Sequence, residues 1–378
     1  MKIVYWSDAT LPSRAANTVH VMKMGQALAD NENSVDLIAH RKDNKADEEE
    51  IFGYYGIRRI FNLRLVDFPK IHGGGVLYAI KGLRYVRKNS PDLIYGRSVY
   101  GCFLTSFFTN IPVIFEAHDK MENKRLFCKL FERMIKKRNF MRLVVITQRL
   151  ADYYENSYPE LEGKVLVAPD GADAVAWNKL LDVEIKENDN VRFNIGYIGS
   201  LYKGRGIDII LKMAELLPKD RFHVIGGSDI EVEEWKKKAC SLCNVIFYGQ
   251  VAPAMVVSYG CKMDILIAPY QKNVYSSNTG NTTNTVDYMS PMKIFEYMSF
   301  GKAVLASDLI AIREVLENDR DSILCNPDKI DEWVNAVERL YMEKGLAERI
   351  SKKALEEFLE NYTWKERARR VVLGYENR

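Results

Sequence analysis

The residues whose types and spacing best suit chemistry lie together in Ser290-Pro291-Met292-Lys293-Ile294-Phe295-Glu296-Tyr297-Met298. They are followed by Ser299-Phe300-Gly301-Lys302 and a strand-like Ala303-Val304-Leu305-Ala306. Serine is a preferred N-cap, and proline suits the first helical position because its missing N–H would go unpaired there anyway. Gly301 fits the left-handed position just past a helix end. Met292, Phe295 and Met298 recur at three-residue spacing and would pack inward. The segment therefore reads as a short helix, entered from a polar loop and leaving into a buried strand. Its N-terminus would present unpaired N–H groups and a partial positive charge, which suits a phosphate. Glu296 lies six residues beyond Ser290, about 9 Å along a helix axis at about 1.5 Å per residue. That is roughly the separation of diphosphate and ribose in a nucleotide, whose hydroxyls a carboxylate can accept. The same residues also describe an ordinary capped helix with one surface glutamate.

Other chemistry-bearing residues fall at the ends of predicted strands. Lys2 to Trp6 reads as a buried strand, Ser7 to Asn17 as the loop after it, and Thr18 onward as a helix, with Val35–His40 as the next strand. This βαβ opening predicts a parallel sheet covered by helices on both faces. Pro91–Arg97 and Ile111–Asp119 are further strands whose carboxyl ends are polar. Ligands of open α/β sheets gather at those ends, which nominates Arg97, Glu116, His118 and Asp119. The second half restarts the pattern with the strand Phe193–Gly199, the turn Ser200–Gly206 and a helix from Ile207 to Leu217. No G-x-G-x-x-G dinucleotide fingerprint is present.

Taken together, these stretches resemble the family-4 retaining glycosyltransferases, and Ser290–Met298 resembles the subset written Ser-Pro-x-Lys-x-Phe-Glu-Tyr-Met. Lys164–Asp173 resembles the strand and Pro-Asp-Gly-x-Asp loop that closes the family's first domain. Gly199-Ser200-Leu201-Tyr202-Lys203-Gly204 resembles its Gly-x-Leu…Lys-Gly turn, where two basic residues hold the donor diphosphate. Ser200 stands where the first is often Arg, with Lys203 nearby, and Arg205 stands where the second is usually Lys. Val245–Val251, containing Gly249, resembles the strand beside the nucleotide base.

The resemblance implies the GT-B fold: two Rossmann-like domains facing across a cleft, with a C-terminal helix crossing back to the first. The expected division is 1–175 for acceptor, 176–362 for nucleotide sugar and 363–378 for the crossing helix. It implies transfer of a sugar from a nucleotide diphosphate donor to a glycan or lipid-linked acceptor, with retention of anomeric configuration. Arg205, Lys293 and the helix start at Ser290, Pro291 and Met292, through the N–H groups of Ser290 and Met292, would hold the leaving diphosphate, Glu296 the ribose, and His118 the donor sugar. No cofactor or metal is required by this scheme. Two departures stand out. Ala15-Ala16 occupy the place of a glycine-rich loop, and Tyr288 stands where a second glutamate often contacts the sugar, leaving Asp287 as the neighbouring carboxylate. A same-fold epimerase or phosphorylase, or a silent partner subunit, are the other readings.

The bulk properties agree with a two-domain globular chain. Length is 378 residues, 47% are hydrophobic and 28% charged. No run of eighteen apolar residues occurs, and Met1 leads directly into a strand pattern, so neither a signal peptide nor a spanning helix is expected. Six irregularly spaced cysteines suggest reduced thiols and a cytoplasmic protein. Cys240 and Cys243 form a lone C-x-x-C with no further ligands at zinc-site spacing. The net charge of +3 gives no sign of nucleic-acid binding. Its distribution is uneven: Lys120 to Arg149 holds ten basic residues against two acidic ones. Within it, 122–138 reads as a helix with an apolar stripe (Leu126, Phe127, Leu130, Phe131, Met134) beside a basic one (Arg125, Lys129, Arg133, Lys136). Such a helix suits an anionic membrane surface as well as an ordinary sheet-docked position.

Overall fold

The computed structural model describes all residues except 14, 42–46, 68–73, 122–124, 186–190, 276–283 and 375–378. The chain forms two compact units, Met1–Asp170 with Trp364–Arg378, and Gly171–Thr363.

The first unit is built on strands β1 (Lys2–Leu11), β2 (Ser34–Arg41), β3 (Asn62–Asp67), β4 (Leu93–Gly96), β5 (Val113–Ala117), β6 (Phe140–Val145) and β7 (Val165–Val167). They form one sheet in the order β3-β2-β1-β4-β5-β6-β7, and every pairing is parallel. Parallel pairing follows from the connections, which carry helices between strands. Near-continuous apolar runs such as Leu143-Val144-Val145 are fully buried, as strands covered on both faces must be. The order of strands along the chain reverses between β1 and β4.

Strand β1 is longer than its sequence pattern indicates. It continues through Ser7–Leu11, with a register shift against β2 between Trp6 and Thr10. Ala9 and Leu11 are buried, so packing overrides the polar residues that suggested a loop. The following helix starts at Ala16, with Ala15 as its N-cap. The basic helix spans Arg125–Ile135, and the expected start at 122–124 lies outside the described residues. Phe131, Met134 and Ile135 are buried on it, whereas Arg125, Leu126, Lys129 and Arg133 are exposed.

The second unit holds β8 (Asn194–Ile198), β9 (Arg221–Ile225), β10 (Val245–Gly249), β11 (Ile265–Ala268), β12 (Ala303–Ser307) and β13 (Ile323–Cys325). Their order is β10-β9-β8-β11-β12-β13, again all parallel, with the reversal between β8 and β11. A crevice at such a reversal is where open α/β sheets bind ligands. The helix Met292–Ser299 precedes β12 and is buried on most sides, including Ile294, Phe295, Tyr297 and Met298. No helix among the described residues is long and apolar enough to cross a membrane.

Candidate active site

In the second unit the site grows from the helix Met292–Ser299. Pro291 is its N-cap and no side chain caps it, so Ser290 stands outside the helix rather than at the cap. Proline here takes an extended conformation (ψ 111°), which moves the start one residue onward. The far end behaves as the sequence indicates: Gly301 is left-handed (φ 62°) and its N–H reaches the Met298 carbonyl at 3.2 Å. The phenol of Tyr297 ties the helix to β8, accepting from the Ile198 amide at 2.8 Å and donating to the Ile198 carbonyl at 3.3 Å.

That anchoring sends Lys293 inward. Its Nζ is buried and has no hydrogen-bond partner among the described residues. It lies 3.8 Å from the ring centre of Tyr197 and 5.0 Å from that of Tyr270. Burial, then the positive charge of Arg205, push this amine well below the usual lysine range, against a smaller upward pull from Glu296. Arg205 itself sits 5.4 Å from the Tyr270 ring centre, donates to the Tyr275 carbonyl at 3.3 Å, and leaves Nε buried without a partner. Burial raises the Tyr270 phenol to about 12, so the ring beside these two basic groups stays neutral. Two basic side chains thus converge at the carboxyl ends of β8 and β11 with donors unspent, an arrangement that suits a polyanion able to supply the charge that protonates Lys293.

Glycines make this convergence possible. At Gly199 (φ 153°) a Cβ would lie 2.7 Å from the Lys293 amine. At Gly206 (φ 86°) a Cβ would fall 1.7 Å from the Pro269 carbonyl oxygen, closing the turn that carries Arg205. Ser200 contributes its carbonyl, which accepts from the Tyr197 hydroxyl at 2.6 Å. Gly249 ends β10, and its carbonyl accepts from the Gly226 amide at 2.7 Å. Lys203 is exposed on the same turn, as is Asp287 in the segment before the helix, whereas Tyr288 is 4% exposed and packed inward. Glu296 is half-buried one turn past Lys293. The aromatic walls Tyr197 and Tyr270 escape a sequence reading, because an aromatic in a buried strand looks like core.

A second polar cluster lies in the first unit at the ends of β4 and β5. Glu116 is fully buried at its side chain; its Oε2 accepts from Arg367 at 3.2 Å, and its Oε1 faces His118 Nε2 and, at 2.9 Å, His20 Nε2. His20 in turn places Nδ1 3.0 Å from Asp170. Arg367, on the helix Trp364–Val372, also donates to the carbonyls of Pro169 (2.8 Å) and Ala168 (3.1 Å) and to the Tyr95 hydroxyl (3.3 Å). Burial alone would raise the Glu116 carboxyl. Arg367 and then the two histidines outweigh it and hold Glu116 well below the usual range. Burial, then Arg97, outweigh Glu116 at His118 and bring that imidazole down to about 4. The nominated residues Arg97, Glu116 and His118 therefore do share one site. His20, Asp170 and Arg367 join them from distant sequence; Asp170 belongs to the Pro-Asp-Gly-x-Asp stretch, whereas no local motif marks His20 or Arg367. His20, Glu116 and His118 also bring potential ligand atoms within 4.8 Å of one another. Glu116 already carries a guanidinium there, so a cation would compete with Arg367 for its charge.

The chain has counterparts among known proteins. A family model described as Glycosyltransferase Family 4 matches residues 18–175, and one described as Glycosyl transferases group 1 matches residues 192–343. An uncharacterized glycosyltransferase of Methanocaldococcus jannaschii is 25% identical over 190 residues, covering 49% of this chain and 45% of the relative. The chain thus matches about half the length of that relative. Among solved structures, a glycosyltransferase from Rickettsia africae superposes with a TM-score of 0.73 at 12% identity, covering 100% of both chains. Anabaena HepE, solved with UDP and glucose, does so with a TM-score of 0.70 at 15% identity, also over 100% of both. These likenesses show the GT-B fold. The two family models match different stretches, the first falling almost entirely in the first unit and the second within the second unit.

Proposed function

We propose that the protein transfers a sugar from a nucleotide diphosphate donor to a glycan or lipid-linked acceptor, with retention of anomeric configuration. The observation that carries this reading is Lys293, a buried amine without a hydrogen-bond partner among the described residues, beside Arg205 at the sheet reversal. In a retaining transfer the bond between the anomeric carbon and the diphosphate oxygen breaks, and negative charge develops on the leaving group. Arg205, Lys293 and the amides opening the helix at Met292 would stabilise that charge, which is where electrostatic preorganisation acts most strongly. Gly199 and Ser200 let the phosphates approach the backbone, Gly249 lies toward the base, and Glu296 accepts from the ribose hydroxyls. The HepE neighbour solved with UDP and glucose supports a uridine donor as the first to test. Incubation with candidate nucleotide sugars, with and without acceptor, tests the proposal by release of free nucleoside diphosphate. Release only with acceptor supports transfer. An isomerised sugar nucleotide would mean an epimerase, and no turnover with any donor would favour a silent partner subunit.

His118 is assigned to the donor sugar as a hydrogen-bonding contact and not as a proton-abstracting base. The departing phosphate can take the acceptor proton, and His118 is shifted toward its neutral form. His118→Ala is expected to lower turnover by well over tenfold, at least about 1.4 kcal/mol, with nucleoside diphosphate binding retained. Near-normal turnover in a folded variant would remove His118 from the mechanism.

A membrane-facing role for the basic helix follows the same logic. Arg125, Lys129 and Arg133 are exposed on it, Leu126 is 57% exposed, and Lys136 just beyond is exposed as well. Binding to anionic vesicles should weaken with salt, because the Debye length is about 8 Å at physiological ionic strength. Replacing Arg125, Lys129, Arg133 and Lys136 by Gln is expected to abolish vesicle co-sedimentation. Unchanged co-sedimentation would exclude this helix as the contact.

A further inference from the structure

The Glu116 cluster constrains which face of His118 a ligand meets. Glu116 is held ionised chiefly by the buried Arg367 guanidinium, so its oxygens only accept. The hydrogen between Glu116 Oε1 and His118 Nε2 must therefore come from the imidazole. His118 is kept neutral by burial and by Arg97, and a neutral imidazole carries a single N–H. With that hydrogen on Nε2, Nδ1 holds a lone pair. No described residue hydrogen-bonds Nδ1, and one-fifth of the side chain (20%) reaches solvent. The Glu116 carboxylate is itself held by Arg367 on Oε2 at 3.2 Å and by His118 on Oε1, with His20 Nε2 lying 2.9 Å from Oε1 outside hydrogen-bonding geometry. His20 is steadied in turn by Asp170 at 3.0 Å and by Trp364, whose ring centre lies 5.0 Å away.

We infer that Glu116 is a positioning residue: it holds the His118 ring with Nε2–H turned inward, so that Nδ1 is offered as a hydrogen-bond acceptor to a hydroxyl of the transferred sugar. The inference rests on the reading of His118 as the donor-sugar contact. It adds a specificity: the site demands a hydroxyl that donates, and a deoxy or O-methyl sugar at that position loses the contact. Arg367 acts one step further back, since it keeps Glu116 charged and oriented.

The test uses the whole chain labelled with 15N, and long-range 1H–15N correlation spectra of the His118 ring near pH 7. The wild type is expected in the Nε2–H tautomer, and an Nδ1–H tautomer would overturn the inference without any variant. In Glu116→Gln the amide oxygen is expected to turn toward Arg367, which can only donate. The NH2 group then faces the imidazoles and drives the proton of His118 onto Nδ1. Tautomer inversion should come with at least a tenfold loss of kcat and an unchanged Kd for UDP. Inversion with full turnover, while His118→Ala is impaired, would overturn the positioning role alone. Full turnover in His118→Ala would instead remove the underlying reading of His118. Stoichiometric zinc on the two ring nitrogens in the purified protein, found by metal analysis, would overturn the inference by claiming Nε2 for a metal.

Discussion

Lys293→Met is expected to make the protein more stable and less able to hold a nucleoside diphosphate. The lysine is buried against Tyr197 and Tyr270, with no hydrogen-bond partner among the described residues and Arg205 close by. An unpaired buried charge costs several kcal/mol, so the amine is biased toward neutrality. Its folded pKa is depressed well below the ordinary lysine value, so the unfolded chain binds more protons than the folded one. Stability therefore rises with pH up to that ordinary value, about 10.4, and the penalty is fully present below the folded pKa. Methionine, similar in length and apolar, removes the penalty. Replacing buried charge by apolar groups has stabilised proteins by about 1–4 kcal/mol. For a unit of this size each kcal/mol corresponds to roughly 2–4 °C in Tm. The gain should shrink as pH approaches the lysine range, and thermal denaturation from pH 6 to 10 reads it directly. Over the same variant, affinity for nucleoside diphosphate should fall by about tenfold to a hundredfold, the equivalent of losing one charge-assisted contact of roughly 1.5–3 kcal/mol. Wild-type binding should take up a proton, seen as a dependence of calorimetric heat on buffer ionisation, and the variant should not. A destabilised variant that binds normally would mean that Lys293 is only part of the core.

The second large effect separates Arg205 from Glu296, which are assigned to different parts of one donor. Arg205 carries a guanidinium with Nε unspent and faces the anion position, where a bidentate pair contributes roughly 1.5–3 kcal/mol. Glu296 sits one turn along the helix and is half-buried, placed for ribose hydroxyls. Arg205→Ala should weaken nucleoside diphosphate far more than the bare nucleoside. Glu296→Ala should weaken both by a similar factor, and a 2′,3′-dideoxyribose analogue should scarcely register that change. Calorimetry with three ligands and two variants gives this crossed pattern. Equal losses for every ligand would mean that both substitutions only perturb folding, and the assignment would have to be withdrawn.

Much of this architecture is determined by sequence alone, because its determinants are local. Strand–helix alternation follows from short apolar runs separated by amphipathic stretches, and Gly301 ends its helix because only a residue tolerant of positive φ suits that position. The Ser-Pro-x-Lys-x-Phe-Glu-Tyr-Met stretch could be singled out for the same reason: its spacing acts within one helix and its approach. Where sequence and structure part, a longer-range term wins. Leu11 and Ala9 find burial and extend β1 beyond its apolar run, and Pro291 adopts the N-cap that Ser290 seemed to own.

Tertiary structure alone decided the electrostatics. Nothing within the sequence near Lys293 says that Tyr197, almost a hundred positions earlier, will wall it in, or that Gly199 will let its amine approach. Likewise His20, Glu116 and Arg367 come from three separate elements and Asp170 from the loop after β7, and only the sheet order and the docking of the helix Trp364–Val372 bring them together. The physical reason is that desolvation and Coulombic coupling depend on distance in space. A motif can nominate a lysine or a histidine, but burial and neighbours set its charge, its free nitrogen and therefore its chemistry.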